Sequence, residues 1–142
     1  MGIKQHDRVP PGTISPITPP GKDVYVKAFL VSRTDTVASV KAMLPAAATV
    51  IDIWIVGVAS DAVTTANISI GTSATATEWV SAQDVKTAGG LIRPTASVSA
   101  ANLPNMEPTP WVGDISVYAK YAETGTASTV GGPYTVFIMF VA

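Results

Sequence analysis

The sequence predicts an all-β fold: an antiparallel β-sandwich of jelly-roll type, preceded by an extended, proline-rich N-terminal arm. Apolar residues recur mostly with a period of two, as in strands, and not with the 3.6-residue period of helices. Segments rich in glycine and proline separate seven or eight such runs. The connections are uneven and are long in the middle of the chain, which favours a jelly roll over an immunoglobulin-like sandwich.

Residues 1–22 are predicted to be the arm, and residues 23–142 the sandwich domain. Five of the eleven prolines lie in the arm. Because proline fixes φ and has no amide proton, we expect this segment to be extended and to have no core of its own. It is either a free terminus or a segment that lies along a neighbouring subunit, with Ile14 and Ile17 as its apolar contacts.

The first half of the sandwich is predicted from four runs of residues. In the first strand, within residues 23–33, the even-numbered residues 24–30 share one apolar face. A less regular strand follows at residues 36–43. A Leu-Pro-Ala turn then leads into residues 49–60, which have the strongest strand pattern in the chain. The even-numbered residues of 66–71 are predicted to point inward.

The second half combines clear strands with less regular regions. Residues 78–88 are predicted to be a loop or one or two helical turns that end at a Gly-Gly pair. Small alternating residues predict a strand at 95–101, and three prolines predict a loop at 102–110. Residues 113–123 and 134–141 alternate as strands, and the Gly/Ser/Thr-rich segment between them predicts a hairpin.

Two of the predicted strands are apolar on both faces. In residues 49–60, three isoleucines that include Ile51 are predicted to share one face, with Val50 and Trp54 on the other. Residues 134–141 are also apolar on both sides. Because antiparallel sandwiches normally expose polar outer faces, the second apolar face needs a cover, and we predict homo-oligomers. The candidate contact residues are Ile14, Ile17, Trp54, Val56, Val58, Trp79, Trp111, Phe137, Met139 and Val141.

The composition argues against catalysis. No cysteine and one histidine are present, which excludes thiolate chemistry and cysteine-based or multi-histidine metal sites. His6 lies in the arm without a scaffold to place it for proton transfer. Asp52 has no second carboxylate at a spacing that forces a catalytic pair, and residues 84–90 lack the frame of a phosphate-binding loop. We therefore predict that the protein is not an enzyme, with no catalytic, metal or cofactor-binding residue and no small-molecule substrate.

The charge balance argues against two classes of partner. Nine basic and ten acidic residues give a net charge of −1, which provides no long-range attraction to nucleic acid or to acidic membranes. Pro45 and Asp52 interrupt the most apolar window, residues 42–60, so we expect a core strand there and not a membrane span. The first residues also lack the apolar core of a secretory signal. Neither nucleic acid nor a membrane is a predicted partner.

The tryptophans leave two interpretations open. Trp54, Trp79 and Trp111 are predicted to lie in the core or in a subunit interface, where aromatic side chains are frequent. Aromatic rings near strand ends also form the platforms on which lectin-like sandwiches stack sugars.

The segment from Leu44 to Gly90 resembles a unit of small structural proteins of tailed bacteriophages. It has a Leu-Pro turn before an apolar strand, Ile-Gly-Thr at residues 70–72, the pair Glu78-Trp79 and a closing Ala-Gly. The resemblance implies a capsid decoration (cement) protein, a jelly-roll oligomer on the capsid exterior that contacts the major capsid protein. Such a protein is made in the bacterial host cytoplasm and ends in the virion. The alternative is a carbohydrate- or receptor-binding module of a head or tail fibre.

Overall fold

The computed structural model describes residues 23–46, 48–87, 89–94 and 113–142. The predicted arm, the predicted strand at 95–101 and the predicted loop at 102–110 lie outside the described residues. The described chain contains eight strands: β1 (Val24–Val31), β2 (Ser39–Leu44), β3 (Thr49–Gly57), β4 (Thr65–Gly71), β5 (Val80–Asp84), β6 (Gly90–Ile92), β7 (Ile115–Thr124) and β8 (Tyr134–Val141).

The strands form two four-stranded antiparallel sheets. Sheet A has the order β1-β8-β3-β6, and sheet B has the order β2-β7-β4-β5. Among the eight described strands, only β4 and β5 are consecutive and lie in the same sheet, and each other pair of consecutive described strands is divided between the two sheets. Two Greek keys wound around each other produce this order, which confirms the predicted jelly-roll sandwich.

The core lies between the two sheets and is built by period-two alternation. Every second residue is buried in β8 and, as far as Tyr121, in β7, and the inward residues of β4 are completely buried. Tyr121 of β7 and Tyr134 of β8 stack across the core with ring centroids 6.2 Å apart. The inward residues of these three strands are Ala66, Ile68, Ile70, Ile115, Val117, Ala119, Tyr121, Tyr134, Val136, Ile138 and Phe140.

A β-bulge corrects the predicted faces of β3. Its register against β8 shifts between Val50 and Asp52, so Ile51 is an extra residue in this strand. Val50 is therefore buried together with Ile53, whereas Ile51 is 38% exposed. The prediction that Ile51 shares a face with Ile53 is wrong, because one inserted residue reverses the alternation on one side of the bulge.

Within the segment 78–88, residues Val80–Asp84 form a strand, so the predicted loop or helical turn is wrong there. β5 pairs with β4, and this pairing shifts register between Ile68 and Ile70. Ala82 has a positive φ of 54°, and its amide donates a hydrogen bond to the hydroxyl of Ser69 at 3.0 Å. Because this irregularity interrupts the period-two pattern, the sequence pattern does not predict the strand.

The predicted hairpin between the last two strands is also wrong. The segment after Thr124 does not join paired neighbours, because β7 belongs to sheet B and β8 to sheet A. The amide of Asp61, from the β3–β4 connection, donates to the carbonyl of Val130 at 3.2 Å. A turn-rich sequence predicts a reversal of direction, but it does not tell which sheet the next strand enters.

Candidate interaction surface

The outer face of sheet B is mostly polar, as expected for an antiparallel sheet in water, although Val40 and Met43 of its edge strand β2 are 47% and 46% exposed. The side chains that alternate with the buried residues of β7 are Ser116, Tyr118, Lys120 and Ala122, and Asn67 of β4 is beside Ala122. The outer face of sheet A differs from this face in its polarity.

The outer face of sheet A is apolar across all four strands. Pairing aligns Ala28 of β1 with Phe137 of β8 and with Trp54 of β3. Two residues after Trp54 on the same face of β3, Val56 lies beside Leu91 of β6. The outward apolar residues of the four strands are Val24, Val26, Ala28, Leu30, Ile51, Trp54, Val56, Leu91, Phe137, Met139 and Val141.

Several of these side chains are more than half exposed, which is unusual for large aliphatic residues that lie side by side. Val24 and Leu91 are each 61% exposed, and Leu30 is 57% exposed. Scattered apolar residues are normal on protein surfaces, but a contiguous apolar patch marks an interaction site. The outer face of sheet A is therefore the candidate functional site.

An aromatic pair occupies the centre of this face. The rings of Trp54 and Phe137 stack with centroids 5.6 Å apart and planes inclined by 19°. On the side of β6, the guanidinium carbon of Arg93 is 5.9 Å from the centroid of the Trp54 ring. Arg93 also forms an ion pair with Asp52 at 3.1 Å. The pair keeps the face neutral, and the Trp54 ring lies between Phe137 and Arg93.

Five of the predicted contact residues meet on this surface: Trp54, Val56, Phe137, Met139 and Val141. Val58, just beyond the end of β3, is 61% exposed. The structure corrects the prediction that Trp79 is a contact residue. Its side chain is only 2% exposed and belongs to the core, out of reach of a partner. Ile14, Ile17 and Trp111 lie outside the described residues. That these side chains contact a partner stays a prediction.

Sequence reasoning missed the contribution of β1 and β6 to the surface. Val24, Val26 and Leu30 share one apolar face in the sequence, but the opposite face of β1 is mixed and gave no sign of which side is buried. Phe29 and Val31 point into the core, which turns the other face outward. Leu91 belongs to a three-residue strand that is too short for a periodic signal.

A second feature is a polar cleft of about 400 Å³ at one end of the sandwich. Arg33 and Glu123 line it together with Ser128 and the backbone around Gly131. Arg33 donates a hydrogen bond to the carbonyl of Ser128, and Glu123 accepts from the Tyr121 hydroxyl at 2.7 Å. Both charged groups are thus engaged in holding the loop, which makes this cleft a weaker candidate than the apolar face.

Two tyrosine hydroxyls behind the cleft differ in their partners. Tyr121 contacts Ser60 at 2.9 Å as well as Glu123. The Tyr134 hydroxyl is buried and finds no hydrogen-bond partner within the described ranges. Burial raises the pKa of Tyr134 to about 12, so this phenol stays neutral at any physiological pH.

Hydrogen bonds to carboxylates hold the loops together at this end of the sandwich. Asp61 accepts hydrogen bonds from the amides of Thr129 and Val130 at 2.7 and 2.8 Å, which ties the β3–β4 connection to the β7–β8 connection. Glu123 accepts from the amide and the hydroxyl of Ser128. These hydrogen bonds lower the pKa of Asp61, chiefly through Val130, and the pKa of Glu123, chiefly through Ser128.

The Glu78 side chain has the same role between β4 and β5. Its carboxylate accepts from the amides of Thr72 and Thr77 at 3.0 and 3.1 Å and from the Ser73 hydroxyl. A Cβ on Gly71 would lie 1.8 Å from this carboxylate. Burial raises the pKa of Glu78, but the hydrogen bonds outweigh burial and the pKa is lowered.

We expect the protein to lose stability in acid. A carboxylate with a lowered folded-state pKa stabilises the fold above its ordinary value, 3.8 for Asp61 and 4.5 for Glu123, and this contribution disappears as the pH falls through the lower folded value. The melting temperature should therefore be nearly constant between about pH 7 and pH 5 and should fall below about pH 4. Thermal melts across this range measure it.

The double variant Asp61→Asn, Glu123→Gln is the control for this effect. It should melt lower than the natural sequence at pH 7 and should show a shallower decline in acid, because two of the titrating groups are gone. A natural chain that melts at the same temperature at pH 3 and pH 7 contradicts the assignment.

The described residues contain no group of three or more histidine, aspartate or glutamate side chains placed to hold a metal ion. Within the same part of the chain, no helix is long and apolar enough to span a membrane.

Comparison with known proteins gives one structural likeness. No protein-family model matches the chain, and no curated protein matches it. A chain of the solved cyanophage Pam1 capsid asymmetric unit is similar in fold, with a TM-score of 0.55. The alignment covers 91% of this chain and 90% of that chain at 18% sequence identity. The two chains therefore share the sandwich fold over nearly their whole lengths.

Proposed function

We propose that this protein is a non-enzymatic structural protein of a bacteriophage virion. In this proposal it is a capsid decoration protein that self-associates and stabilises the shell by adding subunit contacts. The observation that carries the proposal is the apolar outer face of sheet A, which spans four strands, while the outer face of sheet B is mostly polar. Its partners are a second copy of itself and the major capsid protein.

The size of the face supports self-association. Three strands about 27 Å long and the three-residue β6, about 10 Å long, lie about 4.8 Å apart and present roughly 450 Å². At about 25 cal/mol per Å² of apolar surface, even partial burial of this area contributes several kcal/mol to association. The neutral Asp52–Arg93 pair imposes no net repulsion between two copies.

The structural likeness supports the capsid location. The similar chain comes from a capsid asymmetric unit, and the near-complete coverage of both chains means that each is essentially this one sandwich. A capsid repeats its asymmetric unit many times, so a modest contact at each copy adds up over the shell. A protein that works in this way needs complementary surface and no reactive centre. We place it on the capsid exterior, after synthesis in the host cytoplasm.

The alternative, a carbohydrate- or receptor-binding module of a fibre, finds less support. Sugar stacking requires a free aromatic face. The Trp54 ring lies between Phe137 and Arg93, and Trp79 is buried.

A charge on the apolar face should break self-association. We expect Val26→Glu to weaken the association of copies at least about tenfold, because an unpaired carboxylate would be buried at the contact. Val40→Glu is the matched control: Val40 is also on an edge strand and is 47% exposed against 52% for Val26, but it lies in sheet B. Sedimentation velocity over a concentration series measures the oligomeric state, and circular dichroism verifies folding.

Two results would contradict this proposal. The first is a natural chain that stays monomeric at high concentration, and the second is a Val26→Glu chain that associates as strongly as the Val40→Glu control. The decoration assignment has a separate test, since an antibody against the protein should label the outside of intact phage capsids. Label confined to tail fibres would favour the receptor-binding alternative.

A further inference from the structure

The edge strand β1 of sheet A is long, regular and mostly apolar. It pairs with β8 from Val24 to Val31 without a register shift. No other described strand pairs with its opposite side. A sheet edge of this kind presents a row of unpaired amides and carbonyls, on which a strand of another chain can pair. The open edge of β1 is therefore a second candidate contact, distinct from the apolar face.

The other three edge strands of the described chain carry features that oppose such pairing. β6 has only three residues. The pairing of β2 with β7 shifts register between Val40 and Ala42, which leaves Lys41 as an extra residue at that edge. β5 is also irregular, with a positive φ at Ala82. Because short length, bulges and lysine protect edges from foreign strands, β1 is the described edge strand best suited to pairing.

The hydrogen bonds between β1 and β8 show which backbone groups face the open edge. The amide of Asp23 donates to the carbonyl of Ala142 at 2.8 Å, and the amide of Ala142 donates to the carbonyl of Asp23 at 3.0 Å. In an antiparallel pair, residues that exchange such bonds alternate with residues whose amide and carbonyl point away. Since the register does not shift, the odd-numbered residues of β1 bond to β8. The outward backbone groups belong to Val24, Val26, Ala28 and Leu30.

These outward residues make β1 complementary to a second copy of itself. Antiparallel pairing centred on Val26 sets Val26 opposite Val26 and Val24 opposite Ala28, so the outward amides and carbonyls of all three residues find partners. Their side chains are aliphatic and exposed, and they lie on the outer face of sheet A. Directly opposite residues of a sheet point to the same side, so these side chains also pack on each other.

The single charge of β1 is compatible with this register. Lysine often protects a sheet edge, but the side chain of Lys27 points to the face opposite that of Val26. With Val26 at the centre, Lys27 of one copy lies opposite Tyr25 of the other, which is 48% exposed, and diagonal to Asp23. A cation is attracted to an aromatic ring and to a carboxylate. Charge complementarity therefore favours a second copy as the occupant of the edge.

We propose that two copies join edge to edge through antiparallel pairing of their β1 strands around Val26. The two copies of sheet A then form one continuous sheet, with both apolar outer faces on the same side. This contact goes beyond the proposed association through the apolar face and leaves that face accessible. Two faces of roughly 450 Å² together present roughly 900 Å², which exceeds the about 800 Å² that each partner buries in a standard interface.

Cysteine cross-linking in the full-length protein tests the edge contact. The natural chain has no cysteine, so Val26→Cys provides one thiol per copy. Opposite residues that exchange hydrogen bonds have Cα atoms about 5.5 Å apart, within the range of a disulfide. The experiment uses the Trp54→Ala background, in which association through the apolar face is weakened. After mild oxidation, non-reducing gel electrophoresis measures the fraction of disulfide-linked dimer.

Val40→Cys in the same background is the matched control. Val40 also lies on an edge strand and is 47% exposed against 52% for Val26, but it belongs to sheet B. We expect at least about tenfold more dimer from Val26→Cys than from Val40→Cys, because only Val26 is held opposite its own copy.

A proline at an outward amide separates pairing between copies from folding. Ala28→Pro removes an amide that points to the open edge, so β1 should keep its pairing with β8 while the dimer yield of Val26→Cys falls at least about tenfold. Lys27→Pro is the matched control, because it removes an amide that bonds to β8 opposite Ile138. It should lower the melting temperature more than Ala28→Pro does.

The outcomes separate the edge contact from the proposed function. A folded Val26→Cys chain that forms no more dimer than Val40→Cys would overturn the edge contact. If the natural chain still self-associates in that case, association through the apolar face stands. A dimer yield that Ala28→Pro leaves unchanged would also overturn the pairing, since the outward amide would then have no part in it. A natural chain that is monomeric at high concentration would remove both contacts.

Discussion

Trp79→Ala is expected to lower the free energy of unfolding by about 3–5 kcal/mol, as large aromatic truncations in protein cores do. Trp79 is 2% exposed, and its amide donates to the carbonyl of Ile70 at 3.1 Å. Removing the indole would leave a cavity between the sheets next to the β4–β5 pair. Chemical denaturation followed by circular dichroism measures the loss.

Trp54→Ala separates the core tryptophan from the surface one. Because Trp54 is only half-buried on the outer face of sheet A, we expect it to lose less than half as much stability as Trp79→Ala. The same variant should weaken self-association at least about tenfold, since aromatic anchors dominate interfaces. Equal stability losses for the two variants would show that the assignment of core and surface is wrong.

Gly131→Ala is expected to destabilise the sandwich by about 3 kcal/mol, which corresponds to a fall of about 10 °C in melting temperature. Gly131 has a φ of 123°, a conformation that residues with a Cβ rarely adopt. A Cβ would also lie 2.7 Å from the Cα of Ser60 and 3.0 Å from the Tyr134 hydroxyl. Differential scanning calorimetry of the purified variant measures the change.

Gly113→Ala is the matched control for this prediction. No atom lies within 4 Å of the Cβ that it would acquire, and its φ lies outside the left-handed region. We expect the control to melt within about 2 °C of the natural chain. A Gly131→Ala chain that melts together with the control would show that the close approach to Ser60 is not maintained in solution.

Local pattern predicted the regular strands well. The alternation of Tyr134–Val141 predicts both the bounds and the inward residues of β8, because each side chain in an unbroken strand simply takes the opposite face from its neighbour. The same is true of residues 115–121 in β7. Pattern failed at Ile51 and in residues 80–84, where bulges interrupt the alternation and where pairing with another strand decides which way a side chain points.

Alternation along single strands predicted part of the candidate site, and the rest depends on pairing between strands. Phe137 and Met139 lie on the second apolar face of a strand whose first face is plainly core, so the sequence already indicates that they need a cover. Leu91 has no such signal, because it joins the face only through the pairing of a three-residue strand with β3. The sequence also does not predict the hydrogen bonds that the carboxylates of Asp61 and Glu123 accept. Their partners belong to loops that only the tertiary structure brings together or shapes.

By itself the sequence determined that this chain is a jelly-roll-like sandwich with more apolar strand surface than one core uses, because side-chain alternation and turn residues are local properties. Only the tertiary structure decided that the surplus lies on sheet A, that Trp79 is buried and that Trp54 is not. Strand order and bulges result from hydrogen bonding between residues far apart in the chain, and these pairings, not the local pattern, place each side chain inside or outside.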